Sequence, residues 1–377
     1  MLSTLLDKFK NSFPEVNRIQ LKNMFVLLIC ILDKETVCLY KLKKHVPVIL
    51  GNTQSEGYAH YKRLLRTVDF WSGGDLWENL LLMVMGLLNH QVKYLLLDGT
   101  KWEMGSIKFH FMTLCAVYRG VSIPIYWIDL KKKGHSSQKE RKQLLERALR
   151  LYRLEGKTLI ADREYIGLEW FGYLVEHDID FIVRLKKNVY RSYIDQSVGD
   201  AYSKMEKRAL KRKHGVGKTV TIQGRGYRFV IVKNGQPNAE EPLLYLLSTL
   251  EKKHVISQAY QMRWLIEVCF YHLKSNGFQL ENLAVKQGER TRLMMAIAVL
   301  AYVLAVHEGL KKLKDVRTKH HKDYGEFPEV SVFRSGLDTL AIKVREIVLF
   351  LDYLINQIRK QMDGYRSKKC ICSNFVQ

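Results

Sequence analysis

From Lys93 onward the chain reads as a fixed succession of short apolar segments, and this succession constrains the fold more than any other feature. Tyr94-Leu95-Leu96-Leu97 is an apolar run that ends at Asp98. Lys108 to Tyr118 is apolar and β-prone, and Val121 to Leu130 is another strand candidate, with Arg119-Gly120 as the turn. Three strands with tight connections make a meander. A polar helix follows over roughly Ser136 to Leu154. Thr158-Leu159-Ile160-Ala161 then ends at Asp162, a helix near Leu168 to Glu176 comes next, and Phe181 to Leu185 is a further strand.

Three antiparallel strands, a helix, a strand, a helix, a strand and a late helix form the ribonuclease-H-like α/β layout, a mixed sheet flanked by helices. Asp98 falls at the end of the first strand and Asp162 at the end of the fourth. In this layout those strands are neighbours, so the two carboxylates stand side by side. Alone, each has a bland reading: Asp98-Gly99 as a turn, Asp162-Arg163 as a helix-capping pair.

The rest of the chain frames this segment. Lys186 to Glu241 is a long insertion rich in Lys and Arg, and Val216 to Val232 alternates like a hairpin. Leu243 to Leu247 is apolar. Ser248 and Glu251 have capping-box spacing and predict a long helix that stops near Asn276-Gly277. From Glu289 the pattern is mostly helical and ends in a basic tail. The first ninety residues also read helical. Leu42 to Leu50 and Thr53 to Arg66 flank a Gly51-Asn52 turn, and Thr53 and Glu56 form another capping pair. This is either a DNA-reading helix-turn-helix that presents Lys62, Arg63 and Arg66, or an ordinary αα-hairpin with a solvated basic face.

Charge narrows the function. The 377 residues carry 61 Lys and Arg against 38 Asp and Glu, a formal net charge of +23. Solubility needs no such excess. It suggests a polyanionic partner, nucleic acid first and an acidic membrane surface second. Binding should then be dominated by phosphate neutralisation and weaken with salt. The membrane alternative is weak, because the longest apolar run, Leu293 to Val306, is short of the roughly 20 residues a spanning helix needs. No secretory signal is visible. Cys30, Cys115 and Cys269 sit in apolar runs, and Cys370 and Cys372 form a lone CxC. A reducing cytoplasm is the expected compartment.

The late helix carries the sharpest pattern. Tyr260, Arg263, Glu267 and Lys274 fall within an arc of about 60° at 100° per residue. One face thus holds an aromatic hydroxyl, a guanidinium, a carboxylate and an ammonium. Leu265, Val268 and Leu273 on the other side form a plausible core stripe. A surface ladder pairing Arg263 with Glu267 explains two of the four residues, but not the Tyr or the far Lys.

Tyr260-x2-Arg263-x3-Glu267-x6-Lys274 resembles the Y-R-E-K signature of DDE transposases encoded by bacterial insertion sequences, specifically insertion sequence family four. Leu97-Asp98-Gly99-Thr100 and Ala161-Asp162-Arg163-Glu164-Tyr165 look like that family's two upstream Asp motifs. The resemblance runs from about Lys93 to Leu283, with a tail of similar character from Arg290 to Leu310. It implies that Asp98, Asp162 and Glu267 are catalytic acids that bind two divalent ions, Mg²⁺ physiologically with Mn²⁺ as a substitute. Hard oxygen ligands suit Mg²⁺, and two ions can activate a water and stabilise a leaving oxygen. It further implies cleavage of double-stranded DNA at transposon terminal inverted repeats and 3′-OH strand transfer into target DNA. A homodimer in the DNA complex and residence with bacterial nucleoid DNA in the cytoplasm follow from the same resemblance.

Tyr260, Arg263 and Lys274 match the positions that hold DNA phosphates near the cut, with Arg suited to bidentate contact and Lys to a point charge. Arg163 beside Asp162 is another phosphate contact or a partner of Glu164 or Glu169. Lys101 and Trp102 either touch DNA or, for the Trp, enter the core. In some members the insertion supports a DNA hairpin intermediate in which an aromatic holds a flipped base. This chain has no Trp between Trp170 and Trp264, leaving Tyr190, Tyr193, Tyr202, Tyr227 and Phe229 as substitutes.

The expected organisation is a helical DNA-binding region over residues 1–90, a catalytic domain over 91–310 with a β-rich insertion at 186–241, and a helical basic region over 311–377. Two rivals stand beside the transposase reading. A ribonuclease-H-like nuclease would cut without joining and needs no Y-R-E-K face. A non-catalytic DNA-binding derivative would be marked by a lost acid, and all three acids are present.

Overall fold

A computed structural model describes residues 13–50, 57–88, 92–104, 107–198, 202–235, 239–283, 288–312, 318–321 and 325–346. The Gly51-Asn52 turn, the Thr53–Glu56 capping pair, and Cys370 and Cys372 with the basic tail lie outside the described residues. The elements open with helices α1 (Arg18–Lys34), α2 (Leu39–Leu42), α3 (Val46–Leu50), α4 (Gly57–Ser72) and α5 (Leu76–Leu87). Strands β1 (Tyr94–Met104), β2 (Ile107–Tyr118) and β3 (Val121–Asp129) follow, then α6 (Gln138–Leu151), β4 (Thr158–Ala161), α7 (Leu168–Glu176) and β5 (Asp180–Leu185). Next come α8 (Arg191–Val198), α9 (Tyr202–Ala209), β6 (Val216–Ile222), β7 (Arg225–Lys233) and β8 (Leu243–Ser248). The last elements are α10 (Lys253–Tyr260), α11 (Trp264–Lys274), α12 (Gly288–Lys312), β9 (Thr318–His321), β10 (Gly325–Pro328) and α13 (Val332–Arg345).

The chain divides into two compact units. One comprises residues 91–101 and 109–269, and the other 1–90, 102–108 and 270–377.

The first unit is built on an eight-stranded mixed sheet of order β3-β2-β1-β4-β5-β8-β7-β6. Its centre is parallel: β1 pairs with β4, and β4 with β5. Strands covered on both faces read as unbroken apolar runs. Accordingly Leu95, Leu96 and Leu97, Leu159, Ile160 and Ala161, and Phe181, Ile182 and Val183 are all buried. The β2–β3 turn is Arg119-Gly120, with φ of 47° and 79° at the two residues. Two left-handed residues in succession give the turn whose twist matches antiparallel strands, and Gly carries the second at no steric cost. α6 starts on a full capping box, with the Ser137 side chain accepting from Glu140 N and the Glu140 side chain accepting from Ser137 N. The β3-β2-β1-β4-β5 part of this order, with its flanking helices, is the ribonuclease-H-like arrangement expected from the sequence.

The insertion does not form a separate layer. After α8 and α9, the β6–β7 hairpin joins the central sheet, because β7 pairs with β8 and β8 with β5, all antiparallel. Stacked Tyr202, Phe229 and Tyr245 seal α9 against it, with ring centroids 5.8 to 6.5 Å apart.

The expected Ser248–Glu251 capping box is absent. Ser248 ends β8, and its buried hydroxyl donates to the Phe181 carbonyl (2.7 Å) while accepting from Leu250 N (3.0 Å). The helix begins only at Lys253 and is not continuous: Gln261–Arg263 forms a 3₁₀ turn between α10 and α11. The chain leaves α11 at Lys274, close to the predicted stop.

Apart from the β9–β10 hairpin and the end of β1 and start of β2 within 102–108, the described elements of the second unit are helical. Its centre is α12, where every residue from Leu293 to Val306 is buried. The helix is long and apolar enough to cross a membrane, but here it is the core of a packed bundle. α13 crosses it at backbone contact: a Cβ on Gly336 would lie 1.7 Å from the Ala305 carbonyl oxygen, and one on Gly309 1.8 Å from that of Val332. Buried Glu308 receives Lys311 from its own helix and Lys343 from α13. Arg334 of α13 forks onto Glu35 at the end of α1, both oxygens at 2.6 Å.

Candidate functional site

The parallel register assembles the centre of the first unit. The last β1–β4 pair is Leu97 with Ala161, and the last β4–β5 pair is Ala161 with Val183. The next residue on each strand path is therefore Asp98, Asp162 and Arg184. Neighbouring strands lie about 4.8 Å apart, and residues in register share a face. Sequence reading placed Asp98 at the end of its strand; β1 in fact runs on to Met104 beside β2. What ends at Asp98 is the pairing with β4, because the chain after Ala161 leaves the sheet.

Both aspartates are fixed in the same local way. One Asp98 oxygen accepts from Gly99 N (2.8 Å), and one Asp162 oxygen accepts from Arg163 N (2.7 Å). Arg184 Nη1 stands 3.8 Å from Asp162 Oδ1. Burial pushes the Asp98 carboxyl up to about 7, with Asp162 and Glu164 adding to the rise and the Gly99 N–H and Arg263 opposing it. A carboxyl held this high by burial, even with a guanidinium close by, is a common mark of functional sites.

Glu267 arrives through Arg263. The guanidinium donates to Glu267 Oε1 (2.7 Å) and lies 3.6 Å from Asp98 Oδ2, so one cation bridges the two acids. The 3₁₀ turn places Arg263 one turn before Glu267. Tyr260 is buried, and its hydroxyl faces the Arg184 side chain. Burial and then Asp162 push its pKa upward, which keeps the phenol neutral.

The loop behind Asp162 is clamped from α6. Buried Arg141 donates to the carbonyls of Ser136 (2.7 Å), Glu164 (2.6 Å) and Ile166 (2.8 Å), and to the Ser136 hydroxyl (3.0 Å). Gly167, at φ +152°, lies against Gln138, whose side chain would be 2.2 Å from any Cβ there. Tyr165 is fully buried, and its hydroxyl would sit 3.4 Å from a Cβ on Gly99.

The remaining predicted residues are placed as follows. Arg163 pairs with neither Glu164 nor Glu169; its Nη1 donates to Glu241 Oε1 (2.9 Å). Lys274 belongs to the helical unit and pairs with Glu281 (3.1 Å). Trp102 is buried in the core, whereas Lys101 is exposed. The core stripe of α11 is Ile266, Cys269, Phe270 and Leu273; Val268 is exposed, Leu265 is half-buried, and of the predicted stripe only Leu273 belongs to it. Among the candidate base-holding aromatics, Tyr202, Tyr227 and Phe229 are core residues, leaving Tyr190 and Tyr193 half-buried. Lys62, Arg63 and Arg66 are exposed on α4. Sequence reading missed Arg184, Arg141, Tyr165 and Glu241; for Arg184 the available signal was its place one residue past the apolar run of β5.

Three carboxylates are the right donor chemistry for a hard divalent cation. Among the described residues, however, no three acids or other ligating side chains are gathered as one metal-holding group. Arg263 stands where Asp98 and Glu267 would have to close.

The family model described as "Transposase DDE domain" matches residues 93–304, more than half of the chain. The chain belongs to this family, whose members generally use divalent metal ions. A search of curated proteins finds no match. Among solved structures the chain is similar to a piggyBac transposase in a synaptic complex with hairpin DNA, at a TM-score of 0.48 and 10% identity, covering 89% of this chain and 72% of that one.

Proposed function

We propose that the chain is an insertion-sequence transposase with a Y-R-E-K face that cleaves double-stranded DNA at terminal inverted repeats and joins the freed 3′-OH to target DNA. What supports the proposal is that Asp98 and Asp162 follow paired residues on adjacent parallel strands, and that Arg263 pairs with both Asp98 and Glu267. These three residues would hold divalent ions, Mg²⁺ with Mn²⁺ as a substitute, and two such ions supply an activated water and a stabilised leaving oxygen.

The chain's own groups do the positioning. With its carboxylate partners otherwise engaged, Arg263 is available to a phosphate. Tyr260 offers a neutral hydroxyl from a desolvated position, and Lys274 and Arg163 add cationic contacts. No side-chain nucleophile is needed, because water and then a DNA 3′-OH attack the phosphodiester. Exposed Lys62, Arg63 and Arg66 on α4 would contact DNA, and the complex with DNA would be a homodimer. The setting is bacterial cytoplasm, on nucleoid DNA.

The test is to replace Asp98, Asp162 and Glu267 singly by Ala and follow cleavage of the element's own ends in Mg²⁺. Each variant should bind the ends and fail to cut them. A variant that cuts at the wild-type rate removes that residue from the site.

A further inference from the structure

Glu241 is out of keeping with its surroundings. In a chain of net charge +23, it places a half-exposed carboxylate against the guanidiniums of Arg163 and Arg184. Each guanidinium takes its own oxygen: Arg163 Nη1 donates to Oε1 at 2.9 Å, and Arg184 Nη2 donates to Oε2. Two cations converging on the two oxygens of one anion is the geometry that receives the two non-bridging oxygens of a phosphodiester.

Glu241 is not what fixes the backbone of Arg163 or the place of Arg184. Arg163 has its backbone N–H on Asp162. Arg184 is mostly buried on β5, in register with Asp162, and its other nitrogen faces that carboxylate. The Glu241 loop is likewise closed without the carboxylate: Asn234 Nδ2 donates to the Glu241 carbonyl (3.0 Å), and Asn234 N donates to that of Pro242 (2.9 Å). The side chain is therefore not needed to staple the loop. Ion pairs this exposed are weak and yield to a competing polyanion.

From this we infer that Arg163 and Arg184 form a phosphate-binding fork beside Asp162, and that Glu241 occupies it in the DNA-free protein as an internal stand-in for the phosphate. The inference rests on the transposase reading and adds Arg184 and Glu241 to its DNA-binding residues. DNA displaces the carboxylate, so Glu241 sets how readily DNA enters.

The experiment measures binding of a short duplex of arbitrary sequence to the full chain without divalent metal, over a series of salt concentrations. Glu241→Gln should bind roughly fivefold more tightly at low salt, the scale set by losing weak exposed pairs. Glu240→Gln, the same charge change on the adjacent exposed residue, should bind like wild type. Arg163→Ala and Arg184→Ala should each reduce the slope of log K against log salt by about 1, one phosphate contact apiece. In either background Glu241→Gln should give no gain. If Arg184→Ala does not fold, Arg163→Ala carries the test.

The inference is overturned if Glu241→Gln binds no more tightly than wild type, if Glu240→Gln gains equally, or if the gain survives loss of the arginines. Cleavage of the element's ends by the wild-type chain in Mg²⁺ is scored separately. Cleavage with an unaltered Glu241→Gln affinity defeats the fork alone, whereas a wild-type chain that binds no duplex defeats both readings.

Discussion

Asp98→Asn should stabilise the metal-free protein at alkaline pH and leave it nearly unchanged at acid pH. Burial raises the folded-state pKa of Asp98 from 3.8 to about 7. At about 1.4 kcal/mol for each tenfold change in proton affinity, that rise corresponds to about 4 kcal/mol. The side chain is about one-fifth exposed, and solvent screening reduces the figure to about 2–3 kcal/mol. The sign follows from proton counting. Between these two pKa values the folded state binds more protons than the unfolded, so stability falls as pH rises through the window and then levels off. The stabilisation is fully present below about pH 4 and lost above about pH 7. Asparagine keeps the shape and can still accept the Gly99 N–H, but carries no charge to desolvate. Denaturant midpoints of wild type and variant, measured in chelator at pH 4 and pH 8, test this. The variant should gain about 2–3 kcal/mol at pH 8 and little at pH 4. Equal differences at the two pH values, or a variant weaker at pH 8, would refute the reasoning that burial raises the pKa of Asp98.

Other outcomes follow from named contacts. Gly336→Ala should destabilise the helical unit by about 3 kcal/mol, the upper end for overpacking, because its methyl would meet the Ala305 carbonyl; a drop in melting temperature checks this. Arg141→Ala should cost about 3 kcal/mol and open the 162–167 loop to proteolysis, since it removes four hydrogen bonds and strands buried carbonyls. Lys274→Ala loses an ion pair with Glu281 and should change stability by less than about 1 kcal/mol while slowing strand joining roughly tenfold. Arg263→Ala should slow cleavage or joining by roughly ten- to a hundredfold, read on pre-assembled ends.

The sheet was readable in the sequence because its central strands are buried on both faces. Leu95-Leu96-Leu97, Leu159-Ile160-Ala161 and Phe181-Ile182-Val183 appear as unbroken apolar runs, and each run stops where a polar residue meets the site. Arg119-Gly120 was readable for a local reason, since such a turn needs left-handed residues. The features that were not readable depend on contacts far apart in sequence. Arg184 gains its meaning only from register with Asp162, and Glu241 lies 78 and 57 residues from the two arginines it meets. The 3₁₀ turn at Gln261–Arg263 contains neither Gly nor Pro to announce it. Ser248 has capping-box spacing, but its hydroxyl is claimed by the neighbouring strand instead. The same limit applies to Lys274, whose partner Glu281 lies beyond the end of the helix that suggested its role.

The central claim is that Asp98, Asp162 and Glu267 serve one metal site. It is tested most directly by a structure of the full chain bound to its own terminal repeat in Mn²⁺, with the ions located by anomalous scattering. The account predicts two ions about 4 Å apart, ligated by oxygens of these three carboxylates, with Arg263 moved off Glu267. Carboxylates more than about 10 Å apart in that metal-loaded complex, or ions bound elsewhere, would contradict it.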